Sequence, residues 1–252
     1  MIRTKLGLLG LCAVVFGMMA FSATAAHAEA GATWLVLKTV NGALETEAEI
    51  ETNKERLVGE IENKTASLLS KVLGLKIEIL CTAGELVDAL LGAVGTVKNG
   101  AKVKFTGCVV REANAGLALL PGCEAHSGTD PVGTIITNAG HASIELHVLT
   151  SGVKHDVTKV LPDVGEEFVN VRLGEECSIG ENLPIFGKLT LWDCLEEGKG
   201  ALKHAETHLV TEFKPLTKLY VISDTAEHLE TSLDGSANVK LASAKNWAIK
   251  PG

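Results

Sequence analysis

Ala93-Val94-Gly95-Thr96-Val97-Lys98-Asn99-Gly100-Ala101-Lys102-Val103-Lys104-Phe105-Thr106 is the stretch that decides the fold class. Asn-Gly supplies the two positive-φ residues of a type I′ turn, whose twist matches that of flanking antiparallel strands. After it, Val103 and Phe105 alternate with Lys102, Lys104 and Thr106, the period of a strand with one buried and one wet face. The pattern predicts a β-hairpin with its tip at Asn99-Gly100. That register sets Cys108 opposite Leu91 and far from Cys81.

Outward from this hairpin the period of two recurs. It is seen in Lys76–Leu80, Gly133–Thr137, Ser143–Leu149, Leu189–Trp192, Lys218–Ile222 and Ala237–Leu241. Glu167–Leu173 reads as a strand with Phe168 and its alternates on one face. Asp234-Gly235, Ser151-Gly152, Gly180 and Pro184 punctuate the series as turns. Many short strands with regular turns predict an all-β sandwich or open barrel. One short helix is expected as well: Thr65–Leu73 spaces Leu68, Leu69, Val72 and Leu73 helically, behind Asn63 as a cap. Glu85–Ala93 fits either class, and its approach to the hairpin favours strand.

The first residues read as a secretory leader. Arg3 and Lys5 precede the uncharged apolar run Leu6–Phe21, and small residues follow to Ala26-His27-Ala28. The run falls short of the about 20 apolar residues a spanning helix needs. Leu11 before Cys12 also disfavours a lipoprotein. The expectation is therefore a signal peptide over residues 1–28, mature chain from Glu29, and secretion or release into a periplasm. No Pro- or Ser-rich linker divides 29–252, which predicts a single β-rich domain. Without Arg3 and Lys5, 21 basic residues stand against 31 acidic ones, a net charge near −10. That balance disfavours nucleic acid and anionic membrane as partners. The cleaved product is expected to be free of the membrane, with self-association or a cell-surface partner left open.

Five cysteines follow the leader: Cys81, Cys108, Cys123, Cys177 and Cys194. None forms CxxC or CxxCH, so redox, haem and zinc-ribbon readings lack support. In an oxidising compartment they predict disulfides with one thiol left over. The hairpin register leaves Cys108 to reach Cys123 across a loop containing Asn114, Gly116 and Pro121. A second bridge is then drawn from Cys81, Cys177 and Cys194, with the choice open.

Several segments carry a resemblance. They are Glu60-Ile61-Glu62-Asn63-Lys64-Thr65-Ala66-Ser67-Leu68-Leu69, Ile79-Leu80-Cys81-Thr82-Ala83-Gly84 and Phe105-Thr106-Gly107-Cys108. Further on come Leu173-Gly174-Glu175-Glu176-Cys177-Ser178-Ile179-Gly180, Thr225-Ala226-Glu227-His228 and Leu233-Asp234-Gly235-Ser236-Ala237. From Glu60 onward the chain resembles a set of secreted bacterial proteins of uncharacterised function. The resemblance implies export and disulfides, and it brings no catalytic residues.

Candidate chemistry is sparse. His204, Glu206 and His208 share a face on a strand, and the two histidines stack at i and i+4 on a helix, so either geometry offers imidazoles to Zn²⁺. The spacing misses HExxH, and a solvated polar face is the expectation, with no metal and no cofactor. His126, His141, His147, His155 and His228 are scattered, and no G-x-S-x-G elbow anchors a triad. Glu45, Glu47, Glu49 and Glu51 form a stripe without a Ca²⁺ loop. GxGxxG and GxxxxGK are both missing. With aromatic residues only 4% of the chain, a sugar-binding platform is disfavoured too. Two classes remain: a non-enzymatic structural or interaction protein of the cell exterior, the expected one, and a small-molecule-binding protein or hydrolase on a β-scaffold.

Overall fold

The computed structural model describes residues 33–41, 43–49, 54–93, 95–114, 116–148, 154–193, 205–208, 218–222 and 228–250. The predicted leader, Glu51, Leu149, the turn Ser151-Gly152, Cys194 and His204 lie outside them. In chain order the strands are β1 (Thr33–Val40), β2 (Ala43–Glu49), β3 (Leu57–Val72), β4 (Leu75–Cys81), β5 (Ala83–Val87) and β6 (Thr96–Thr106). There follow β7 (Val109–Glu112), β8 (Ala118–Leu119), β9 (Ile135–Ile136), β10 (Gly140–Val148), β11 (Lys154–Pro162) and β12 (Glu167–Arg172). The last are β13 (Asn182–Asp193), β14 (Ala205–His208), β15 (Lys218–Ile222), β16 (His228–Leu241) and β17 (Asn246–Lys250). No helix occurs among the described residues.

All ladders are antiparallel, in two sheets: a three-stranded one, β17-β1-β2, and a large one that curls into a half-barrel. The large sheet runs β16-β15-β13-β11-β10-β6-β5-β3, and β3 pairs with β16 again, so the hydrogen bonding comes full circle. The circle is thinnest at β3–β5, which meet at the single pair Glu60↔Glu85. Beyond β3 the sheet continues through β4, β7 and β8.

Alternation decides what is inside. In β4, Ile77, Ile79 and Cys81 are buried and the residues between them are not. Together with Val110, Leu183, Ile185 and Val221 they form the larger apolar cluster. A second cluster joins Trp34, Val36 and Trp247 of the small sheet to Leu57, Leu91 and Leu241.

Thr65–Leu73 is not helical. Residues 65–72 belong to β3, paired to β4 on one side and β16 on the other. Ala66 and Ser70 are buried while Thr65, Leu69 and Lys71 are exposed, so a period of two underlies the leucine spacing. Two flanking ladders outweigh a local helical pattern, which contributes little without packing.

The hairpin expected across Asn99-Gly100 does not form; β6 instead pairs antiparallel with β5, from a turn further upstream. Asn99-Gly100 lies inside the continuous strand β6. Two steps along β10, Gly140 to Ala142, face four along β6, Ala101 to Val97, so Asn99-Gly100 forms a β-bulge. Gly100 takes the left-handed conformation there (φ +99°), and its N–H donates to Asp163 Oδ2 at 2.7 Å. The chain turns instead at Ala93–Thr96, where Thr96 N–H and Oγ1 both donate to the Ala93 carbonyl and Gly95 supplies the positive φ. Asp234-Gly235 likewise lies within β16, at a register shift, and Pro184 within β13. In β12 the shift at Phe168 buries Val169 and Val171 beside it, so the face expected to follow Phe168 changes sides.

The upstream turn also corrects the disulfides. Cys108 bonds Cys81, not Cys123, and Cys123 bonds Cys177. In the β5–β6 ladder Ala83 faces Thr106, and continuing that register sets Cys81 opposite Cys108. Cys123 meets Cys177 because Glu124 N–H donates to Leu173 O and His126 pairs with Arg172, laying 123–126 along the end of β12. Both bridges lie in or against the larger cluster. Two intrachain disulfides are compatible with a location outside the reducing cytoplasm.

Candidate functional site

The two apolar clusters do not merge. Between them, within the curl of the large sheet, is a cavity of about 200 Å³ whose lining draws on members of both. Eight strands make a curl just wide enough for side chains to fill, or to hold one small ligand if those side chains are small. Here they are small. Ala66, Gly84, Ala101, Gly140, Ala142 and Gly235 all line the space.

The lining draws mainly, though not solely, on one parity of the strands. Ala101, Val103 and Phe105 contribute from β6, Gly84 and Leu86 from β5, and Val160 and Pro162 from β11. The intervening Glu85 and Lys104 form an ion pair at 3.0 Å with side chains 56% and 37% exposed, which places that pair on the wet face. Phe168 and Leu189 close the space toward the larger cluster, and Trp34 and Trp247 close it toward the small sheet. Their rings lie 5.3 Å apart between centroids, tilted by 42°. Trp34 Nε1–H donates to Thr96 O at 3.2 Å, tying the small sheet to the turn ahead of β6.

Polar groups on the lining are few. Thr137 is buried, its N–H donating to Val103 O and its Oγ1 accepting from Val103 N–H, both at 3.0 Å. His141 borders the cavity with its Nδ1 2.9 Å from Asp163 Oδ1, and Asp163 also receives Gly100 N–H. Among the described residues no charged side chain is buried. Glu60, Glu85, Lys102 and Asp234 border the space as well, but its wall is mostly apolar, so the site can hold an uncharged apolar body by exclusion of water.

The residues singled out from sequence lie elsewhere. Glu206 and His208 sit on β14, opposite Asn238 and Ser236 of β16, with Trp192 of β13 also facing His208. No group of three His, Cys, Asp or Glu that could hold a metal occurs among the described residues. Glu45 and Glu49 lie on β2, an outer strand of the small sheet, and Glu47 is the extra residue of its bulge. His147 and His155 face each other across β10–β11, whereas His228 stacks on Tyr220 at 4.1 Å. Ser127 is structural: its Oγ donates to Asp130 Oδ2 and accepts from Ile136 N–H. Nothing in the sequence pointed at the cavity. Its one trace is the run of Gly and Ala at inward positions, readable only once strand parity is known.

Compared with known proteins, the chain matches no family model, no curated protein and no solved structure.

Proposed function

We propose that this chain is an exported, non-enzymatic binding protein for a small apolar molecule, held within the curl of the large sheet. The observation that carries this reading is the cavity of about 200 Å³ with its apolar lining. It exceeds the about 150 Å³ of an engineered apolar cavity that binds benzene, though it is below the about 300 Å³ where drug-sized pockets begin. Export is supported by the three-zone N-terminus and by the two disulfides.

Titration with the apolar fluorophore phenylnaphthylamine tests the binding. Saturable one-to-one binding is expected, lost on Ala142→Phe or Ala101→Leu, which fill the cavity, with thermal stability retained. Absence of saturable binding, or equal binding by both filled variants, would overturn the reading. Export is tested separately by intact mass of the secreted product, expected to begin at Glu29, or at Gly31 if cleavage follows Ala30.

A second reading, an interaction protein, is favoured by one feature. The neighbouring β3–β4 and β7–β8 turns expose Leu73, Leu75, Leu117 and Leu119 at one end of the sheet. Exposed apolar clusters of this kind mark contact surfaces. Serine at Leu73 and Leu117 should abolish any concentration-dependent association seen by sedimentation, and a monodisperse wild-type monomer would remove this reading.

A further inference from the structure

On the reading that the cavity takes an apolar guest, one buried donor narrows the guest's chemistry. Trp247 lines the cavity and is 4% exposed, yet its Nε1–H is buried without a hydrogen-bond partner. Trp34, as buried and on the same lining, has its Nε1–H taken by Thr96 O. Thr137, the buried polar side chain on the lining, accepts Val103 N–H at its Oγ1. Buried donors are paired in the great majority of cases, and an orphan calls for a specific reason. An indole N–H can only donate, so its complement is an acceptor. We take that acceptor as uncharged because the wall is mostly apolar, and an ionised group would lose its hydration there.

We propose that the guest is a neutral apolar molecule bearing one hydrogen-bond acceptor, a ketone, ester or ether oxygen, which Trp247 Nε1–H engages. A pure hydrocarbon leaves that donor unpaired. A carboxylate must shed its hydration against a wall that is mostly apolar. Trp247 thereby selects by a single polar contact within a site that otherwise selects by size.

The test uses three guests of one length: heptyl methyl ketone, nonane and nonanoate, each displacing phenylnaphthylamine from wild type and from Trp247→Phe. The ratio of ketone to nonane affinity should be about tenfold higher in wild type than in Trp247→Phe, the worth of one hydrogen bond. Nonanoate should displace the probe least. Trp247→Phe, whatever its own affinity for nonane, should lose that factor. Proton–nitrogen correlation spectra give a readout independent of affinity. The ketone should move the Trp247 indole resonance downfield and nonane should not. Should Trp247→Phe fail to fold, Trp34→Phe and Trp192→Phe assign that resonance by elimination. A ketone-to-nonane ratio unchanged by Trp247→Phe overturns the proposal. So does an indole resonance that lies upfield in the free protein and ignores the ketone, which would give the donor to the ring face of Trp34. If the fluorophore binds and is displaced by nonane alone, the cavity reading stands and only the acceptor falls. If the fluorophore does not bind at all, both fall.

Discussion

Tyr220 is the one tyrosine in the chain, which lets a single side chain be followed through a titration. Its hydroxyl donates to Glu166 Oε2 at 2.6 Å, while its ring stacks between Phe186 and His228. The hydrogen bond to Glu166, then burial, then the charge of Glu166 all raise its pKa above 10.0, because each favours the protonated phenol. A group whose pKa is raised by folding adds stability that is fully present below its unfolded pKa and lost as pH rises through the folded one. Phenolate absorbance should therefore appear with a midpoint above 10.0, and Glu166→Gln should bring it back toward that value. A wild-type midpoint unmoved by the substitution would show that the carboxylate is not the cause. Glycine gives a second prediction. A Cβ on Gly140 would lie 2.6 Å from the Leu161 carbonyl oxygen, a backbone atom that cannot swing away. Gly140→Ala should cost about 1–3 kcal/mol through overpacking, measured by denaturant unfolding. At Gly74, where nothing lies within 4 Å, the φ of +82° sets the cost of alanine instead.

The strands were legible where alternation was local, and misread where a neighbour decided the outcome. Lys218–Ile222 coincides with β15 because Leu219 and Val221 point inward whatever lies alongside. Asn99-Gly100 misled because positive φ serves a bulge as well as a turn, and the choice was made by β10 and Asp163, far off in sequence. Once the turn was misplaced, the register error carried directly into the cysteines. Leu68 and Leu69 read as helical because spacing alone cannot reveal two flanking ladders. The disulfides give the matching experiment. The Cys81–Cys108 and Cys123–Cys177 bridges span 27 and 54 residues, so loop entropy makes each worth about 3.5–4 kcal/mol, the second slightly more. Replacing each pair with serine should lower stability in that order. Non-reducing peptide maps should show Cys81 with Cys108, and a Cys108–Cys123 peptide would restore the register read at first from the sequence.

The molecule is organised around the gap between its two apolar clusters, one anchored by disulfides and the other capped by the small sheet. Nothing in composition announces such a gap, since alanine and glycine serve equally well in turns, close contacts and cavity walls. The arrangement has a mechanical consequence that needs no knowledge of the ligand. Unfolding under pressure is driven by elimination of internal voids, with volume changes of about −20 to −100 mL/mol for ordinary proteins. An apolar cavity of about 200 Å³ adds to that change to the extent that it is dry. Filling the space from within by Ala142→Phe, or from without by a saturating guest, removes the same void by two independent routes. Both should raise the midpoint pressure and shrink the volume change together. The guest should also raise Tm, by about 2.7 kcal/mol of added stability at a concentration one hundred times its Kd. High-pressure fluorescence of the tryptophans measures the first effect, with Trp34 and Trp247 reporting from the cavity wall itself. A guest that raised Tm but left the volume change untouched would be bound somewhere other than the curl of the sheet.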